Sequence, residues 1–130
     1  MFVLDTNTLI YFFKGMGKVA TVLLNTPPQA IAIPTIVLFE LELGLAKSNH
    51  PDKRSAQLSE FLSHVTLWSF GAEEARICAA LRAVLEQRGT MIGPYDLLIA
   101  GTALTHHATL VTHNLREFER IDGLALVDWY

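Results

Sequence analysis

The chain has 130 residues, 51% hydrophobic and 18% charged, with a formal net charge of −3. That length fits one compact domain with an ample core, and the composition excludes a largely disordered chain. No apolar run approaches the ~20 residues of a membrane helix, no basic segment precedes an apolar one at the start, and a lone cysteine excludes an internal disulfide, so a single cytoplasmic domain over residues 1–130 is expected.

Phe2-Val3-Leu4 reads as a buried strand, followed by a helix from Thr6 to about Phe13 that Gly15 and Gly17 break. A second helix runs through Val19–Leu24 until Pro27-Pro28, and Ala30–Ile33 is another apolar strand. After Pro34 a helix apolar nearly all round spans Thr35 to about Lys47, a pattern that predicts burial. Ser48–Arg54 reads as a loop, Ser55–Ser63 as a helix, Val65–Phe70 as a strand and Ala72–Arg88 as a long helix ended by Gly89. Cys78 lies in that helix among Ala and Leu neighbours and is read as a small buried hydrophobe. Gly93-Pro94 opens a helix to about His106; a strand at Thr109–Thr112, a helical turn near Leu115–Glu119 and a strand at Leu124–Trp129 complete the chain. Strands that alternate with helices and are continuously apolar predict an α/β fold, a parallel sheet with helices on both faces. Such sheets bind ligands beyond the carboxyl ends of their strands, where Asp5, Thr112 and Asn114 fall.

Asp5 can simply cap the helix that follows it, and Asp96 occupies a first turn that the helix dipole favours for any acid. Glu40 resists so plain a reading. Two residues along a helix is a turn of roughly 200°, so Glu40 and Glu42 point apart, and Glu40 shares its side with Ile36, Val37 and Gly44. A carboxylate facing inward must be paired or bind a metal, and no Lys or Arg lies within one turn of it. Converging carboxylates suit Mg²⁺ or Mn²⁺. No Cys/His spacing suits zinc; His50, His64, His106 and His107 read as surface or helix-end residues, and His113 lies nearest the acids. The acidic balance argues only weakly against a nucleic-acid partner, because a metal site itself requires clustered acids and the position of the cations matters more.

Four segments together resemble one family. Val3-Leu4-Asp5-Thr6-Asn7 is similar to the opening motif of PIN domains, and Glu40 with Gly44 resembles their second acid. Gly93 through Ala100, carrying Asp96, resembles the third-acid segment of VapC toxins, and Leu110–Asn114 followed by Arg116-Glu117-Phe118 resembles the closing motif. One departure stands out: Asn114 occupies a position where the family often has aspartate, leaving Asp5, Glu40 and Asp96 as metal ligands, with Asn114 or Glu117 as the fourth group. Thr6 and Thr112 are expected to support the acids through hydrogen bonds.

The resemblance implies the toxin of a type II toxin–antitoxin pair: a Mg²⁺- or Mn²⁺-dependent endoribonuclease that cuts structured RNA, tRNA in its anticodon loop above all. It also implies a homodimer and a small VapB-like antitoxin. Lys14, Arg82, Arg116 and Arg120 are candidates for guiding the RNA backbone, although each basic cluster is by default an ordinary solvated face. Two rivals remain open. Asp5-Thr6-Asn7-Thr8 faintly resembles the DxDxT loop of haloacid-dehalogenase-type phosphotransferases, but the second acid is Asn7. The Asn114 departure also leaves room for a PIN-like scaffold that binds RNA or a partner without cutting.

Overall fold

A computed structural model describes residues 1–130. Strands β1 (Phe2–Leu4), β2 (Ile31–Pro34), β3 (Thr66–Trp68), β4 (Thr109–Val111) and β5 (Ala125–Val127) form one parallel sheet in the order β3-β2-β1-β4-β5. Val3 pairs with Ala32 on one side and Leu110 on the other. Consecutive residues Ile31, Ala32 and Ile33 are all buried, as a strand covered on both faces requires.

Seven helices connect and cover the strands: α1 (Thr6–Lys14), α2 (Val19–Leu24), α3 (Thr35–Ala46), α4 (Asp52–Leu62), α5 (Ala72–Arg88), α6 (Pro94–Thr105) and α7 (Leu115–Phe118). Gly15 and Gly89 end α1 and α5 in the left-handed conformation that glycine adopts without a Cβ clash. The chain winds outward from β1 through β2 to β3, then crosses back to place β4 and β5 on the other side. Right-handed crossovers in both directions put helices on both faces, and the reversal opens a crevice at the carboxyl ends of β1 and β4.

Two sequence-based expectations need correction. The helix expected to start at Ser55 begins at Asp52: Pro51 leads into it, the Ser55 amide donates to the Pro51 carbonyl at 2.8 Å, and Asp52 suits the positive end of the dipole. The expected burial of α3 also fails. Only Val37 of that helix is buried, while Phe39 and Leu43 are 48% and 40% exposed.

The tightest helix contact joins α5 to α6 at Gly101 and the buried Cys78. A Cβ on Gly101 would stand 2.0 Å from Cys78 Sγ. Burial, and secondarily Glu74, raises the Cys78 thiol to about 11, so it stays protonated and serves as packing. Gly101→Ala is expected to destabilise the fold by about 1–3 kcal/mol through overpacking. Adding Cys78→Ala should recover most of that loss in a thermal-denaturation double-mutant cycle; purely additive effects would show that the two helices do not meet here as described.

Candidate active site

Asp5 follows β1 directly and is only 4% exposed. One of its oxygens accepts the Thr8 amide at 2.9 Å, capping α1. The plain capping role is therefore real. Burial raises the Asp5 pKa, opposed by hydrogen bonds from Thr8 and Thr112, with the Asp128 charge adding a small push upward. Thr8 is fixed in turn, its hydroxyl donating to the Val111 carbonyl of β4 at 3.1 Å.

Glu40 projects from α3 toward the start of α1, where the Thr6 hydroxyl donates to its Oε1 at 2.7 Å. It lies half-buried in a cleft wall, whereas Glu42 is exposed, as their opposed directions predict. Asp96 sits in the first turn of α6 after the Gly93-Pro94 entry. Its pKa is raised from 3.8 to about 7, first by desolvation and then by the charges of Glu117, Asp5 and Glu40. Four carboxylates from four different elements thus feel one another, and none takes part in an ion pair.

Glu117 is the fourth acid of this cluster. Its Oε1 accepts the Gly93 amide at 2.8 Å, and the Asn114 side-chain amide donates to its Oε2. Gly93 brings it beside Asp96: a Cβ there would lie 3.5 Å from Asp96 Oδ2 and 3.8 Å from Glu117 Oε1. Asn114 therefore reaches the cluster through Glu117. Its own amide is held by the Thr112 hydroxyl oxygen at 3.0 Å, so Thr112 ties the end of β4 to α7. Sequence reasoning missed Asp128, which faces Asp5 electrostatically and pairs with His113 Nδ1 at 2.9 Å.

As placed, no three His, Cys, Asp or Glu side chains stand at the spacing of a direct metal shell. Mg²⁺ retains several waters and commonly takes only one or two carboxylates directly. A set of oxygen donors outside any ion pair, one of them raised to about 7 by burial and then by its neighbours' charges, fits such a partly hydrated ion. Three of the five histidines are occupied elsewhere: His64 with Glu60, His106 stacked on Trp68 and His113 with Asp128. Among the expected RNA guides, Arg82 pairs with Glu86, Arg120 donates to the Met91 carbonyl, and Arg116 is exposed, whereas Lys14 lines the cleft that contains Glu40.

A parallel α/β sheet bearing clustered acids at its switch point is the architecture of the PIN domain, and the PIN domain family description matches residues 2–124. The chain is 38% identical to the tRNA(fMet)-specific endonuclease VapC of Salmonella typhimurium, over 98% of this chain and 97% of that protein. It is likewise 38% identical to ribonuclease VapC2 of Rickettsia felis, with 99% and 98% covered. The crystal structure of Rickettsia felis VapBC2 bound to a DNA fragment from its promoter superposes with a TM-score of 0.92, at 38% identity over 99% of this chain and 98% of that one. The chain belongs to the PIN domain family, in its VapC group.

Proposed function

We propose that this protein is the toxin of a type II toxin–antitoxin pair, an endoribonuclease dependent on Mg²⁺ or Mn²⁺. The observation that carries this reading is the set of carboxylates of Asp5, Glu40, Asp96 and Glu117, from four elements, at the carboxyl end of the sheet with no cation paired to them. Asp5, Glu40 and Asp96 would hold the ion, directly or through water. When bound, a divalent ion supplies an acidified water and stabilises charge on the phosphate.

The chain's own residues keep the donors aimed. Thr6 fixes Glu40, Thr8 and Thr112 fix Asp5, and Asn114 with the Gly93 amide fixes Glu117. The reaction is hydrolysis of a phosphodiester bond to a 5′-phosphate and a 3′-hydroxyl, with no 2′-hydroxyl nucleophile and no histidine required. The name of the Salmonella typhimurium relative favours a tRNA, and the resemblance to VapC toxins favours a cut in its anticodon loop. A VapB-like antitoxin is the expected inhibitor, because the similar structures are VapBC assemblies. The exposed apolar surface where Phe39 packs against Tyr95 suits a homodimer contact.

Incubation with tRNA tests the reading. Cutting that requires Mg²⁺ or Mn²⁺, stops with EDTA, leaves 5′-phosphate ends and survives a 2′-deoxy substitution at the cut is the expected result. Binding without metal-dependent cutting would favour the scaffold alternative, and phosphate release from small esters the phosphotransferase.

A further inference from the structure

Next to the acids lies a cleft of about 570 Å³ between α1, α3 and α4. Glu40 stands in its wall, so it is continuous with the acid cluster, yet the other charged residues of the lining are of the opposite sign: Lys14, Lys53 and Arg54. None of the three cations is in an ion pair. Lys14 and Lys53 are exposed. The Arg54 guanidinium rests over the Phe13 ring, 5.3 Å from its centroid, with Nη1 buried and without a hydrogen-bond partner. Gln57 Oε1, one turn along α4, is buried and unpartnered in the same wall. Turning either group toward a ligand sacrifices no internal hydrogen bond at these atoms.

Gly44 supplies a separate observation. It lies inside α3, where glycine weakens a helix relative to alanine. A Cβ there would meet nothing within 4 Å. No contact within the chain requires a glycine, and the bare backbone opens into the cleft. Glycine is the residue that lets a backbone approach a ligand closely.

We infer that this cleft binds one nucleotide of the RNA strand beside the scissile phosphate. Its base lies against Phe13, Leu41 and Leu45 and passes close to Gly44, and Arg54 and Gln57 hydrogen-bond to its edge. The phosphate is met by Lys14 and Lys53. The inference rests on the ribonuclease reading. Opposite charges in the lining of one cleft suit a strand that presents one phosphate to an ion and the next to cations.

The test is steady-state cleavage of tRNA over a range of salt concentrations. Lys14→Glu with Lys53→Glu is expected to raise KM at least ~10-fold and flatten its salt dependence, with kcat and the Mg²⁺ half-saturation unchanged. Both positions are exposed, so the melting temperature should hold. Gly44→Ala should raise the melting temperature and raise KM, opposite effects that a purely structural role would not produce. An unmoved KM and salt slope in the charge-reversed protein would overturn the proposal while the parent's metal-dependent cleavage leaves the ribonuclease reading intact. A parent that cuts no RNA would overturn both. If oligo-glutamate binds the parent and not the variant while KM stays put, the cleft is a protein-docking groove and the proposal also falls.

Discussion

Replacing Asp5 by asparagine is expected to lower metal-dependent RNA cleavage by roughly 10²–10³-fold or more, the loss seen when one charge-stabilising group leaves an active site. Stability should barely change. Asparagine caps a helix as well as aspartate does, so the bond from the Thr8 amide survives, and a desolvated charge is removed from a residue only 4% exposed. Asp5→Ala should lose activity equally but also about 1 kcal/mol of stability, because alanine offers the α1 terminus no acceptor. The pair of variants separates the two roles this side chain combines. Cleavage by Asp5→Asn at the parental rate would remove Asp5 from the chemistry and leave it a cap.

Asp96→Asn should stabilise the metal-free protein at pH 8 and change it little at pH 4. The sign follows from the raised pKa. A carboxyl lifted from 3.8 to about 7 in the folded state contributes stability that is complete below 3.8 and is lost as pH rises through 7. At about 1.4 kcal/mol per pH unit the unscreened effect would reach roughly 4 kcal/mol. Asp96 is only half-buried, and solvent screening reduces this to about 1–2 kcal/mol. Mg²⁺ should recover the same loss in the parent, raising its melting temperature more at pH 8 than at pH 6 and by less in Asp96→Asn. Comparing variant with parent at each pH cancels every contribution common to both. A variant no more stable than the parent at pH 8, and an equal Mg²⁺ effect on both, would mean that the acids do not share a site.

Much of the fold was legible because its signals are local. Gly15 and Gly89 mark helix ends, and the consecutive apolar residues of β1 and β2 mark a sheet covered on both faces. The position of Asp5 was legible for the same reason, since an acid that closes a buried strand lies at the carboxyl edge of such a sheet. Other features depend on what lies across space. The apolar circumference of α3 predicted burial, but an apolar side chain reads the same in sequence whether or not the fold covers it, and Phe39 and Leu43 are exposed. Reading the last strand through Trp129 hid Asp128 inside it; the strand stops at Val127, which leaves Asp128 at a carboxyl end just as Asp5 is. The choice between Asn114 and Glu117 depended on side-chain direction, which the Gly93 amide decides from a distant segment. Treating the stretch before Ser55 as a loop likewise concealed that Lys53 and Arg54 share a helix face with Gln57 and line the cleft with Lys14.

The acids come from residues 5, 40, 96 and 117, and β4, which pairs with β1, follows β2 and β3 in the chain. A chain still emerging from the ribosome therefore carries its first two acids on half a sheet, with the Val111 carbonyl that anchors Thr8 not yet in place. Until α7 emerges and Glu117 accepts the Gly93 amide, the four-acid cluster is incomplete.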